Sequence, residues 1–245
     1  MDAIILAAGY GTRLYHLTLN QPKPLLEVGE KPIIEHIINK LEEINLNKIY
    51  VVTNNKFYNN FTEWSNKLKS VTPIEIINDG TLSNEDRLGT VGDINFVLKE
   101  KNMTDDIAII AGDNLFELSL VDIFNFFKKV GSTTIALYDV KDIKLATLYG
   151  VVAVDDNKKI IDFQEKPEQP KSTLISTGIY FFPKKSIYLI KEYIEKSGKS
   201  DKIGSFIQWL YKKQKVYAYV THKPWYDIGD KEQLRKVREA YKGKR

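Results

Sequence analysis

The sequence contains no cysteine, which excludes a disulfide scaffold, a thiolate nucleophile and a Cys-ligated zinc. Histidine is scarce as well: His16, His36 and His222 lie far apart, so a histidine-rich metal site is not expected. No apolar run approaches the roughly 20 residues that a membrane helix requires. No basic flank or small-residue cleavage site precedes the first strand, so neither a membrane partner nor a secretory signal is expected. A cytoplasmic location is the default expectation. A broad basic face is missing too. The net charge is +4, yet Lys231 to Arg245 alone carries seven Lys or Arg against two Asp or Glu, which leaves the rest of the chain close to neutral. Leu234, Val237 and Tyr241 recur there at helical spacing, so the basic end is expected to be a solvated helix capped by Asp230 rather than a nucleic-acid arm.

What is present is an ordinary globular composition, 43% hydrophobic and 28% charged over 245 residues, enough for a full core. Ile4 to Leu6 form a short apolar run of the kind buried on both faces of a parallel sheet. Ile33, Ile34, Ile37, Ile38, Leu41 and Ile44 then follow a helical stripe, and Lys48 to Thr53 reads as strand. Alternation continues: helix over 57–68, strand over 74–77, helix over 94–100, strand over 107–111, helix over 120–129 and strand over 133–138. Such alternation predicts an α/β fold with a doubly wound, mostly parallel sheet, whose ligands bind beyond the carboxyl ends of the strands. Near Gly150 the pattern changes to strands over 151–154, 160–164, 175–182 and 216–220, with helices over 186–195 and 203–213, an added mixed β region. No linker or repeat period, hexapeptide repeats included, interrupts the chain. One domain is expected, with residues 1–140 forming a nucleotide-binding part, 141–230 a second-substrate part and 231–245 the terminal helix.

The first strand ends in Ala7-Ala8-Gly9-Tyr10-Gly11-Thr12-Arg13, and Pro22-Lys23-Pro24 follows closely. Glycines allow positive φ and let successive amides aim at one anion, while Arg supplies a planar fork and Lys a mobile point charge. The combination points to a polyphosphate. Its alternative is a tight turn with solvated basic residues. A Walker loop would need Lys-Ser or Lys-Thr after Gly11, and a dinucleotide fingerprint a third glycine where Leu14 stands, so both are set aside. Asp113 follows the buried-type strand 107–111, and Asp227 stands in Trp225-Tyr226-Asp227-Ile228-Gly229. Alone, Asp113 could be a cap on the next turn. Together they match what a magnesium polyphosphate site requires, one or two carboxylates plus phosphate oxygens. In Phe163-Gln164-Glu165-Lys166-Pro167, proline biases Lys166 toward extended geometry, so Glu165 and Lys166 point opposite ways unless the strand ends or bulges there.

These segments resemble the signature of the sugar-1-phosphate nucleotidylyltransferases, or nucleotide-sugar pyrophosphorylases. The matching elements are Gly9-Tyr10-Gly11-Thr12-Arg13-Leu14 with Pro22-Lys23, Leu88-Gly89-Thr90, Gly112-Asp113-Asn114, Tyr149-Gly150, Glu165-Lys166-Pro167, Thr177-Gly178 and Trp225-Tyr226-Asp227-Ile228-Gly229. The resemblance implies a Rossmann-like nucleotidyltransferase fold and Mg2+ on Asp113 and Asp227. It implies nucleotide contacts at Leu6, Ala8, Gly9, Gly11, Thr12, Arg13, Leu88, Gly89 and Thr90. It further implies sugar-phosphate contacts at Gly150, Glu165, Lys166, Thr177 and Tyr226, with Arg13, Lys23 and Lys166 carrying catalysis. The implied reaction joins a nucleoside triphosphate to a sugar 1-phosphate, with dTTP or UTP and glucose 1-phosphate favoured. Guanylyl or cytidylyl transfer and a phosphocholine acceptor are the alternatives, as is a regulatory protein that binds nucleotide sugar without turnover. Relatives are often dimers or tetramers, so a homo-oligomer is an expectation too. Many relatives carry glutamine before the Leu-Gly-Thr element, where this chain has Arg87, and Ala or His where it has Asp93. Arg87 is expected either to touch the nucleotide or to pair with Glu85 or Asp86.

Overall fold

The computed structural model describes residues 1–198 and 201–242. Strand β1 (Asp2–Leu6) leads through a short helix α1 (Tyr15–Thr18) and a small ribbon, β2 (Glu27–Val28) with β3 (Lys31–Pro32), to helix α2 (Ile33–Leu41). Then come β4 (Ile49–Thr53), α3 (Tyr58–Ser65), β5 (Ile74–Asn78), α4 (Thr90–Glu100), β6 (Ile107–Ala111), β7 (Asn114–Phe116), α5 (Leu120–Val130) and β8 (Thr134–Asp139). The second half holds α6 (Ile143–Ala146), β9 (Gly150–Val154), β10 (Ile160–Glu165), β11 (Leu174–Phe182), α7 (Tyr188–Ser197), α8 (Ile203–Lys213), β12 (Tyr217–Thr221), β13 (Trp225–Asp227) and α9 (Lys231–Ala240). Helix α9 begins where expected, with the Asp230 side chain accepting from Gln233 N at 2.9 Å. Residues 243–245 of the expected terminal helix lie outside the described residues.

The expected doubly wound sheet is present. Among the described residues nine strands form one sheet, in which β6, β1, β4 and β5 run parallel in that order. Strand β11 pairs antiparallel with β6 on one side of this block and carries β8, β9 and, through β9, β10. Alternate residues feed opposite faces, as the period of two requires. Ile5, Val51, Ala108 and Ile110 pack with α2, α5 and α9, whereas Ile4, Val52, Ile107 and Ile109 pack with α4, α7 and α8.

Two local features aim this frame at one place. The carboxyl ends of β1, β4, β5 and β6 point the same way because the strands are parallel, and Gly112 N donates to Leu6 O at 2.9 Å where β1 and β6 end. A Cβ on Gly112 would sit 2.8 Å from that carbonyl, so glycine permits the approach. The register of β11 shifts between Ser176 and Tyr180, and Gly178 in the shift has φ +78. This bulge turns Thr177 O toward Asn114 Nδ2 (2.9 Å) and Trp225 Nε1 (3.1 Å), tying three distant segments to one carbonyl.

A Cβ at Gly178 would lie 2.9 Å from both Ala111 Cβ and Asn114 Nδ2, in a backbone conformation that disfavours any side chain. Gly178→Ala is therefore expected to destabilise by about 2–4 kcal/mol, from left-handed strain plus overpacking, and to lower Tm by about 5–10 °C. Thermal denaturation checks this, and an unchanged Tm would show that the bulge yields freely.

Candidate functional site

The glycine loop is built around one left-handed residue. Gly11 has φ +63, and its carbonyl accepts from Leu14 N at 2.9 Å and Thr18 Oγ1 at 2.8 Å. Asn54 Nδ2 donates to Ala8 O at 2.8 Å and fixes the end of β1. A cavity of about 360 Å³ opens beside the loop, lined by Leu6, Ala8, Gly9, Gly11, Thr12, Arg13, Lys23, Thr90 and Asp113 among others. A Cβ at Gly9 would meet nothing within 4 Å, so this stretch of main chain faces open space.

Lys23 begins a 3-10 turn, Lys23–Leu25, and its ammonium lies 2.7 Å from Asp113 Oδ2. The lysine side chain is only 9% exposed, against 40% for Asp113. Burial pushes the Asp113 carboxyl up, but the charge and hydrogen bond of Lys23 outweigh it, helped by Arg13, so the group lies below the ordinary carboxylate range. Asp227 responds oppositely. Burial and the charge of Asp113 raise it, while Lys23, Arg13 and Lys166 pull only partly the other way. The two acids are neighbours because β13 pairs with β7, opposing Asp227 to Asn114. At Gly229 a Cβ would lie 3.2 Å from Arg13 Nη1 and 3.6 Å from Asp227 Oδ2, so guanidinium and carboxylate flank that glycine.

A second cavity of about 240 Å³ adjoins the first and shares Thr90, Asp113, Gly178, Tyr180 and Ile203 with it. Gly150, Glu165, Thr177 and Asp227 line it. Glu165 rests against Gly204 at the start of α8, where a Cβ would collide with its carboxylate. Strand β10 ends at Glu165, as expected. Lys166, however, is not extended: its φ is +47, and its N–H donates to Tyr149 O at 3.0 Å. That hydrogen bond holds the turn despite Pro167, strain of the kind that collects at functional sites. Lys166 does not line either cavity, and its charge reaches the site through Asp227.

Other expectations are corrected. Tyr226 does not face the second cavity: alternation along β13 sends Trp225 and Asp227 inward and turns the Tyr226 ring toward Tyr241, 6.1 Å between centroids. Leu88 and Gly89 are not among the described residues that line these two cavities. Gly89, with φ +77, is the N-cap of α4, and Thr90 alone of the three reaches the walls. Arg87 pairs with Asp201, Nε to Oδ1 at 3.2 Å, rather than with Glu85 or Asp86. Asp86 instead accepts from the amides of Leu82 and Ser83.

Sequence reasoning missed Lys202, Ile203 and Gly204 at the start of α8, which carried no motif, and Tyr180, hidden inside a strand pattern. It also gave Asp93 no role, although the residue departs from its relatives. Asp93 lines the first cavity and is 7% exposed. Burial, then the charge of Asp79 and a hydrogen bond to it, push its carboxyl up to about 8. Asp93 Oδ1 and Asp79 Oδ2 are both buried without a donor, because ionised carboxylates cannot donate to each other. A proton on Asp93 resolves this.

Residues 2–244 match the family model described as nucleotidyl transferase. The bifunctional protein GlmU of Methanocaldococcus jannaschii is 36% identical over 231 residues, covering 94% of this chain and 51% of its own length. The glucose-1-phosphate adenylyltransferase of Clostridium novyi is 32% identical over 254 residues, covering 96% of this chain and 65% of that protein. The chain thus spans about half the length of the first of these relatives. A crystal structure of UDP-glucose pyrophosphorylase complexed with UDP-glucose has a TM-score of 0.83 at 22% identity, covering 100% of this chain and 99% of that one, which shows a shared fold.

The Asp79–Asp93 pair has a measurable signature. The unfolded chain releases the Asp93 proton near 3.8, whereas the folded protein keeps it until about 8. Stability is therefore expected to fall as pH rises through that window, since the native state binds the extra proton. Asp93→Asn should flatten the slope and raise Tm at pH 8. An unaltered pH slope in the variant would remove the pair from the account.

Proposed function

The chain belongs to the nucleotidyl transferase family, and we propose that it joins a nucleoside triphosphate to a sugar 1-phosphate, releasing pyrophosphate and forming a nucleotide sugar. The observation that carries this reading is that Arg13 and Lys23 gather with Asp113 and Asp227 around the two adjoining cavities, with Lys166 close enough for its charge to act on Asp227. The first cavity takes the nucleotide and the second the sugar phosphate. The reaction forms a bond from a phosphate oxygen of the sugar 1-phosphate to the α-phosphorus and breaks the bond from that phosphorus to the β-phosphate, which leaves as pyrophosphate.

No general base is required. The second pKa of a phosphate monoester is near 6, so the nucleophile is already mostly dianionic at neutral pH. The barrier is repulsion between two polyanions, which calls for positioning and charge neutralisation. Arg13 and the glycine loop hold the β- and γ-phosphates. Lys23, fixed by Asp113, faces the α-phosphate. Lys166 holds the incoming phosphate beside Asp227, and Glu165 receives sugar hydroxyls. Asp113 and Asp227 suit Mg2+, because their donors are oxygens and their mutual repulsion, visible in the raised Asp227, would be relieved by a cation. Among the described residues no group of three or more His, Cys, Asp and Glu could hold a metal, so phosphate oxygens and water would complete the coordination. Bound there, Mg2+ would supply charge neutralisation between nucleotide and nucleophile.

The sequence resemblance favours dTTP or UTP with glucose 1-phosphate, and these are the first pair to assay. The test is pyrophosphate release for each triphosphate against a panel of sugar 1-phosphates, with and without Mg2+. Lys23→Ala, Lys166→Ala and Asp113→Asn are each expected to lower kcat by about a hundredfold or more, in line with the loss of a transition-state charge contact, while the fold persists by circular dichroism. Full activity in all three folded variants would overturn the assignment. Nucleotide-sugar binding with silence across the panel would favour the regulatory reading.

A further inference from the structure

We propose that Asp93 reads the nucleoside of the bound triphosphate, accepting a hydrogen bond from an N–H of the base or from the ribose 2′-hydroxyl while Asp79 holds its carboxyl in place. The proposal rests on the nucleotide occupying the first cavity and deepens that reading by naming what contacts the nucleoside.

The cavity has two chemically different ends. Arg13, Lys23 and Asp113 stand at one, beyond β6. Asp93 belongs to the other, because it is bonded to Asp79, which follows β5 and whose N–H donates to Thr53 O at 2.8 Å at the end of β4. In the sheet, β6 and β5 are separated by β1 and β4, three strand spacings or about 14 Å. With the phosphates at the cationic end, that span places the nucleoside alongside Leu6, Ala8, Thr90 and Asp93. Tyr10 OH lies 3.3 Å from Thr81 Oγ1 and links the glycine loop to the turn behind Asp79.

The pair is built to present one acceptor. Asp79 Oδ1 takes two donors, Thr81 N and Thr81 Oγ1, each at 2.7 Å, which fixes the orientation of that carboxylate. Its Oδ2 has no other donor, so the protonated Asp93 supplies one. One oxygen of Asp93 is consumed in that bond, and the other stays an acceptor on a side chain that lines the cavity. Packing does not require this arrangement, since an apolar residue at this helix position would bury without an unpaired oxygen. A buried polar group that a ligand is meant to satisfy discriminates strongly against ligands that cannot do so.

The test is equilibrium binding of UTP, dTTP, CTP, ATP and GTP, with the matching ribo and deoxyribo forms, measured without a sugar phosphate. Asp93→Ala is expected to weaken the preferred triphosphate by about tenfold or more and the others less. Asp93→Asn, whose amide can donate to Asp79 and whose carbonyl can accept, should retain the wild-type order. Collapse of the preference among bases assigns the contact to the base, and collapse of the ribo over deoxyribo preference assigns it to the sugar. Equal weakening of every triphosphate overturns the proposal. Should Asp93→Ala not fold, the wild-type protein supplies the answer through triphosphates methylated at the base N–H or at the 2′-hydroxyl. Unimpaired binding of all of them overturns it equally. Because binding is read without turnover, silence in the pyrophosphate assay would count against the transferase reading alone.

Discussion

The contact between Lys23 and Asp113 organises the site. Burying an ammonium to 9% side-chain exposure is costly unless it is paired, and the carboxylate 2.7 Å away is that partner. The pair pins the turn at 23–25 against the end of β6, so two segments 90 residues apart hold one position. It also fixes a cation before any substrate arrives. Preorganised charge costs no rearrangement during the reaction, which makes it effective against a developing anionic transition state.

The second constraint is the short ribbon of β7 and β13. Its pairing of Asn114 with Asp227 forces two carboxylates together, and the electrostatic cost appears in the raised Asp227. Three cations surround the acids, yet they only partly offset burial and like charge. An acid pair of this kind destabilises an empty protein and favours a bound cation. The carbonyl of Thr177, taking both Asn114 Nδ2 and Trp225 Nε1, braces the arrangement from the adjoining bulge.

The sheet and most helices were legible because their signals are periodic. Ile33 to Leu41 shows its apolar stripe, and the apolar runs at 4–6 and 107–111 declare parallel strands. The charged candidates that gather around the cavities were legible for another reason: most follow a strand or a glycine turn whose end is visible in the sequence. Features set by tertiary contact were not. Alternation along β13 would have excluded Tyr226, but the three-residue strand is too short to declare itself. The left-handed φ of Lys166 contradicts the proline that follows it and is held by Tyr149, which no local rule anticipates. Asp93 and Asp79 acquire meaning only once α4 packs over the sheet. Either acid alone reads as an unremarkable polar residue at the edge of an element.

The departure at Arg87 shows how the two cavities are joined. Arg87 pairs with Asp201 rather than with Glu85 or Asp86, and the carbonyl of Asp201 accepts from Thr90 N at 2.8 Å. The ion pair is exposed and contributes little by itself. Its geometric effect is larger, because Thr90 and Ile203 belong to the walls of both cavities and Asp201 lies two residues before Ile203. The loop after β5 and the start of α8 are therefore one mechanical unit. Thr90 N, Asp201 O and the first turn of α8 thus form a connected wall, and Gly204 in that turn seats Glu165. The wall common to both cavities is held from both sides, by the Arg87–Asp201 ion pair and the Thr90 main-chain bond on one and by the contact of Glu165 with Gly204 on the other.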